Sequence, residues 1–228
     1  MRIALLEDDH DQAALMRCWL EDAGHTCHHF ARGEALIRAL QQDSFDLLLI
    51  DWMLPDIGGD EVLDWVRQHL GWQIPVIFVT ARDSAEHIVN ALERGADDYM
   101  TKPVVAIEML ARVAALGRRA HGGSPHVVPN CMPYNIDLDT RTIHYSDQMI
   151  PLTHKEFDLA VHLFRNAGRL LSRAHILEAV WGRNPQLNTR TVDTHMSRLR
   201  KKLKLDDATG WRLSGVYQHG YRLERIET

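Results

Sequence analysis

Five side chains able to do chemistry stand at the ends of apolar runs in the first half of the chain. Glu7 and Asp8 follow "IALL", Asp51 follows "LLLI", Thr80 follows "VIFV", and Lys102 comes just after "DYM". Asp51 lies in "DLLLIDWMLPD", where an acid ends the greasiest run of the chain and a proline follows four residues later. One acid in such a place is ordinarily a turn or cap residue. Three acids, a hydroxyl and an amine, distributed over the ends of different runs, are not explained that way. Carboxylates brought together in a partly dry crevice repel one another unless a cation shares them. Hard oxygen ligands without His or Cys suit Mg2+. A carboxylate beside Mg2+ can attack phosphorus and become an acyl phosphate. The charge that develops on the phosphoryl oxygens then calls for the metal, an amine and a hydroxyl.

The elements that must position these groups alternate in type. Strands are predicted at Ile3–Leu6, Thr26–His29, Leu47–Ile50, Pro75–Val79 and Asp98–Met100, and helices at 11–23, 34–42, 59–69, 84–94 and 106–118. Gly24 and Gly95 fall where helix stops belong. Five βα units imply a parallel sheet with helices on both faces, whose ligand crevice lies outside the carboxyl ends of the strands. Asp9 and Asp11 add acid after the first strand and are secondary.

The remaining sequence differs in character. The chain has 228 residues, 45% hydrophobic and 25% charged, an ordinary globular composition. No apolar run reaches the roughly 18 residues of a membrane span. The first ten residues do not read as a secretory signal, and the three cysteines, Cys18, Cys27 and Cys131, fit free thiols in a reducing cytoplasm. Residues 1–120 carry 11 Lys+Arg and 20 Asp+Glu, net −9, whereas 121–228 carry 15 and 11, net +4. An acidic half joined to a basic half predicts two domains with different partners, nucleic acid for the second. "HGGSPHVVPN", 121–130, reads as the linker. Beyond it come strand-like segments at 134–138, 141–145 and 149–152, then "THKE", 153–156, a capping box that opens a helix. Further helices are expected at 173–181 and 189–204, and closing strands at 211–216 and 220–225.

In "TRTVDTHMSRLRKKLK", 189–204, Val192, Met196, Leu199 and Leu203 form one apolar stripe. Arg190, Thr194, Ser197, Arg198 and Lys201 lie opposite, with Thr191 and His195 on the flank. A basic helix face is often merely solvated, but one seated on a core can also enter a major groove.

Taken together, "LLEDD", "DWMLPDIGG", "VTAR", "GADDYMTKP" and "RTVD-H-S-RLRKKL" resemble, in order and spacing, a two-component response regulator of the OmpR/PhoB type over almost the whole chain. The resemblance implies an α/β fold: a doubly wound, flavodoxin-like five-stranded parallel sheet (1–120), a linker (121–130) and a winged helix-turn-helix domain (131–228). It implies that Asp51 is phosphorylated by a histidine on a separate sensor kinase. Glu7, Asp8, Asp51 and the Met53 carbonyl would hold Mg2+, and Lys102 would pair with the phosphoryl group. Thr80 and Tyr99 would be the switch pair. Arg190, Thr191, Thr194, His195, Arg198 and Arg200 are implied DNA contacts, Arg200 from the flank, with promoter DNA presenting paired half-sites. The 181–188 loop would touch RNA polymerase, with Trp181 in the core. Asp97, Asp98, Arg112 and Arg119 would form charge pairs in a phosphorylation-dependent homodimer. Glu108 is present too, but Ile88 stands where its basic partner is usual.

Other departures are Val104 for the Phe after Lys-Pro, and Tyr217 and Gln218 in the wing, where the family has Arg and Gly. A Mg2+-dependent phosphohydrolase using Asp51, and a constitutive DNA-binding regulator with a scaffold receiver, are the alternatives. "HTCHHF", 25–30, offers metal-ligand types, but neighbours on a strand face opposite ways, so a buried Cys27 with exposed histidines is expected.

Overall fold

The computed structural model describes residues 1–70, 74–81, 85–120, 130–182, 188–207 and 209–226; the side chains of 85, 119 and 120 lie outside the described set. The expected linker is outside it except for Asn130, as are 183–187 of the 181–188 loop. The chain divides into two compact units, Met1–Gln41 with Phe45–Ala120, and Gln42–Ser44 with His121–Thr228.

In the first unit five strands, β1 (Arg2–Leu6), β2 (Thr26–Phe30), β3 (Leu47–Ile50), β4 (Val76–Thr80) and β5 (Asp98–Thr101), pair in parallel in the order β2-β1-β3-β4-β5. All four residues of β3 are buried, as a strand covered on both faces requires. Helices α1 (His10–Asp22) and α5 (Ala106–Ala120) cover one face through Met16, Leu20, Met109 and Val113. Helices α2 (Gly33–Leu40), α3 (Gly59–His69) and α4 (Ala85–Glu93) cover the other through Leu36, Val62, Val66 and Ala91. Gly24 and Gly95 take φ of 80° and 104°, the left-handed conformation that ends a helix without a Cβ penalty. The strand order reverses direction between β1 and β3, so the loops leaving these two strands part and open a crevice at their carboxyl ends.

The second unit opens with an antiparallel meander, β6 (Tyr134–Asp137), β7 (Thr142–Tyr145) and β8 (Gln148–Met149). The strand expected to continue to 152 stops at Met149; Ile150 still donates to the Ile143 carbonyl at 2.8 Å, but Pro151 has no amide to offer the ladder. Helix α6 (His154–Arg165) starts at the expected capping box: Thr153 Oγ1 accepts from Glu156 N at 3.3 Å, and Glu156 accepts from Thr153 N at 2.8 Å. Strand β9 (Leu170–Ser172), absent from the sequence reading, leads into α7 (Arg173–Trp181). It is three residues long and exists through its pairing with β11. Helix α8 (Thr189–Lys202) buries Val192, Met196 and Leu199 and ends two residues before the expected limit, with Lys204 at φ 49°. Strands β10 (Trp211–Val216) and β11 (Gly220–Arg225) form the closing hairpin. Gln218 sits in its turn at φ 60°, a conformation glycine adopts more cheaply. The hairpin therefore forms despite the missing glycine, and Tyr217 is 84% exposed beside it.

Candidate functional site

Asp51, one residue past β3, is 6% exposed, and Glu7, one residue past β1, is 1% exposed. Lys102 joins them. Its Nζ lies 2.6 Å from Asp51 Oδ2 and 2.9 Å from Glu7 Oε1. The other oxygen of Asp51, Oδ1, accepts from Met53 N at 3.2 Å. Asp8 is exposed at the mouth. Glu7, Asp8 and Asp51 each bring a carboxylate oxygen within 4.8 Å of the others. Three hard oxygen donors so placed fit a small divalent cation such as Mg2+. Thr80, fully buried, ends β4, and the Lys102 amide donates to its carbonyl at 2.9 Å. The structure thus brings Glu7, Asp8, Asp51, Met53, Thr80 and Lys102 to one end of one sheet. Tyr99 is 8% exposed, its ring 6.3 Å from that of Phe78.

Electrostatics follow from this crowding. Burial pushes the Glu7 carboxyl above its ordinary range, and the nearby Asp51 charge adds to that, although Lys102 pulls the other way. Burial works against the Lys102 ammonium, yet its bonds to Asp51 and Glu7 more than offset this and raise its pKa. One ammonium therefore serves two buried carboxylates.

Of the residues expected at a dimer surface, Asp97, Asp98, Glu108 and Arg112 are already engaged within the chain. Asp97 accepts from Arg67 Nη2 and from Val76 N, each at 2.8 Å. Arg112 bonds Asp98 at 2.8 Å and Glu108 at 2.7 Å, so Glu108 has a cationic partner in its own helix. Ile88 is half-buried against the core beneath α4. The Arg119 side chain lies outside the described residues. Val104 packs partly buried on the core that α5 covers.

The histidines in and just before β2 correct the expectation that they are exposed: His25, His28 and His29 are half-buried, and Cys27 is 5% exposed. His28 Nε2 accepts from Arg2 Nε at 3.0 Å, and His29 Nε2 donates to the Glu7 carbonyl at 2.7 Å. The His28 ring also lies 5.5 Å from that of Phe45, and the His29 ring 5.9 Å from that of His10.

On α8, Arg190, Thr194 and Arg198 are exposed, and Thr191, His195 and Arg200 half-buried. The Thr194 hydroxyl donates to the Arg190 carbonyl at 3.1 Å. His195 donates to the Thr191 carbonyl at 2.9 Å, its ring 5.0 Å from that of Trp181, which packs on the core. Arg200 Nε donates to the Leu213 carbonyl at 3.0 Å, tying α8 to β10. Lys202 lies 2.8 Å from Glu156, tying α8 to α6. Two of the basic residues of the helix thus hold it in place. Asp193, its one acid in 190–204, accepts from Arg173 at 2.9 Å and from the Tyr221 hydroxyl at 2.7 Å. These three positioning roles were not read from the sequence, because each depends on a partner from another element.

The comparisons agree with this geometry. Residues 3–114 match the response regulator receiver domain, and residues 147–223 match the C-terminal domain of transcriptional regulatory proteins. The sensory transduction protein RegX3 of Mycolicibacterium smegmatis is 35% identical over 226 residues, covering 97% of this chain and 98% of that protein. The phosphate regulon transcriptional regulatory protein PhoB of Rhizobium meliloti is 36% identical over 224 residues, 98% of each. Among solved structures, the signal receiver domain of a Luxo repressor protein from Vibrio parahaemolyticus superposes with a TM-score of 0.50 at 32% identity, over 52% of this chain and 91% of that one. The chain belongs to the two-component response regulators of the OmpR/PhoB type, a receiver domain followed by a DNA-binding transcriptional-regulator domain.

Proposed function

We propose that Asp51 accepts a phosphoryl group from a phosphohistidine of a separate sensor kinase, and that the modified receiver dimerises and binds promoter DNA at paired half-sites. The observation that supports this best is the meeting of Glu7, Asp8, Asp51 and Lys102 at the point where the strand order reverses. Mg2+, when bound by Glu7, Asp8, Asp51 and the Met53 carbonyl, offsets the charge of the carboxylates and of the incoming phosphoryl oxygens. A carboxylate oxygen of Asp51 attacks phosphorus, the phosphorus–nitrogen bond breaks, and the imidazole leaves neutral after taking up a proton. Lys102 keeps its charge against the phosphoryl oxygens, and the Thr80 hydroxyl donates to one of them while Tyr99 fills the space behind. The receiver catalyses only its own phosphorylation and dephosphorylation.

In this reading residues 1–120 are the receiver, 121–130 the linker and 131–228 the DNA-binding domain, all in the cytoplasm. Arg190, Thr191, Thr194, His195 and Arg198 face DNA, Arg200 reaches it from the flank if at all, and the 181–188 loop meets RNA polymerase. Among the described residues no helix is long and apolar enough to cross a membrane. Dimerisation through α4, β5 and α5 exchanges the Arg112 pairs within a chain for pairs between chains. At solvated sites such an exchange is worth only about 0–1 kcal/mol. The receiver dimer is accordingly weak, and DNA carrying two half-sites makes the second contact effectively intramolecular. Phosphorylation is expected to raise affinity for a two-site duplex by more than tenfold while leaving a single half-site little changed. Fluorescence anisotropy on both duplexes, with wild type and Asp51→Asn, checks this. Equal affinity of the two proteins under phosphorylating conditions would favour the constitutive regulator.

A further inference from the structure

Helix α2 lacks a cap of its own. It begins after Arg32, whose side chain makes no capping bond. Its first amides donate instead to a carboxylate 23 residues away: Gly33 N to Asp56 Oδ1 and Glu34 N to Asp56 Oδ2, both at 3.0 Å. Asp56 stands five residues after Asp51, on the loop that joins β3 to α3. Its neighbour Ile57 presses on the same helix start, and a Cβ at Gly33 would fall inside van der Waals contact of Ile57 and Val62. The loop is also held where α3 begins. Gly59 N donates to the Trp52 carbonyl at 2.9 Å, and a Cβ at Gly59 would collide with the Asp51 carbonyl. Between these anchors the Met53 amide donates to Asp51 Oδ1, the oxygen that does not bond Lys102.

A continuous physical chain therefore runs from the start of α2, through Asp56, to the amide that orients the Asp51 carboxylate. Partial burial works against the Asp56 charge, but the backbone amides of Glu34, Gly33 and Ile57 outweigh it and hold the carboxyl below its ordinary range, so the cap is an ionised one. We propose that Asp56 is a positioning residue for phosphoryl transfer: by capping α2 from the phosphoacceptor loop, it fixes the orientation of Asp51 and the place of the Met53 carbonyl. This rests on the reading of Asp51 as the acceptor.

The test uses the full chain, a small acyl phosphate as donor, and MgCl2 titrated against intrinsic tryptophan fluorescence, Trp52 lying beside Asp51. Asp56→Ala is expected to slow labelling about tenfold and to weaken Mg2+ binding several-fold. Asp56→Asn keeps an acceptor that can cap, and is expected to recover most of both. Thr153→Ala removes a cap of the other unit and is expected to label like wild type. If Asp56→Ala does not fold, Asp56→Asn and Asp56→Ser carry the prediction as a graded loss, Ser the larger. A wild-type label with Asp56 variants labelled at the same rate, even where their α2 amides exchange faster, overturns the positioning role and leaves Asp56 a structural cap. Absence of label from the wild type overturns the acceptor reading itself, and this inference with it.

Discussion

Lys102→Met loses about 3–5 kcal/mol of receiver stability in chelator at neutral pH, and Mg2+ restores much of it. The substitution keeps the volume of the side chain and removes its charge. Glu7 and Asp51, both nearly inaccessible to solvent, are then left facing each other with no cation. The Glu7 carboxyl, already pushed up by burial, is then pushed further by the uncompensated charge across from it. The sign of the pH dependence follows. A group whose pKa is raised on folding contributes stability that is present below its unfolded value and lost as pH rises through the folded one. The deficit of Lys102→Met therefore opens as pH climbs above the ordinary carboxylate range and closes as it falls. The wild-type Glu7 pKa is already raised, so Glu7→Gln runs the other way. It is expected to be more stable than wild type in chelator at neutral pH and to lose that advantage in excess Mg2+, which it binds more weakly. Urea unfolding, with hydrogen exchange of the β1 and β3 amides, measures both variants. A Lys102→Met deficit unchanged by pH and Mg2+ would show that the lysine acts by packing alone.

Arg198→Ala is expected to weaken binding to the cognate duplex by about 5- to 150-fold, the equivalent of the roughly 1–3 kcal/mol that a bidentate base contact supplies. Arg198 is exposed on α8, opposite the buried Val192, Met196 and Leu199. Arg200 and Lys202, close in sequence, donate to the Leu213 carbonyl and to Glu156. Lys204 lies beyond the last turn of the helix, at φ 49°. Lys204→Ala should weaken cognate and scrambled duplexes alike and reduce the salt slope by about one. Anisotropy on both duplexes over a range of salt separates the two behaviours. Equal losses on both duplexes for Arg198→Ala would assign that side chain to phosphate.

Local signals made much of this molecule legible in the sequence. β3, α3, α7, β10 and β11 begin and end where apolar pattern, glycine and capping residues put them, because those signals act within a few residues. Glu7 after β1 and Asp51 after β3 meet Lys102 because a parallel sheet delivers all its carboxyl ends to one side. What remained hidden depends on partners distant in the chain. β9 is a strand only beside β11. The Asp56 cap spans 23 residues. Its one local trace is that α2 starts after an arginine, a residue unable to cap an amide. The basic run of α8 did not reveal which charges serve the fold, since Lys202 meets Glu156 46 residues away. Likewise, the histidines of β2 were read as exposed because strand alternation does not say how closely helices cover an edge.

Asp51 is the proposed site of modification. Its most direct test is to incubate the full chain with a small acyl phosphate and Mg2+, trap the acyl phosphate by reduction, and map it by mass spectrometry. A single Mg2+-dependent modification on Asp51 is expected, lost in chelator and in Asp51→Asn, and slowed in Asp8→Asn. A label on any other residue, or full labelling in chelator, would contradict it.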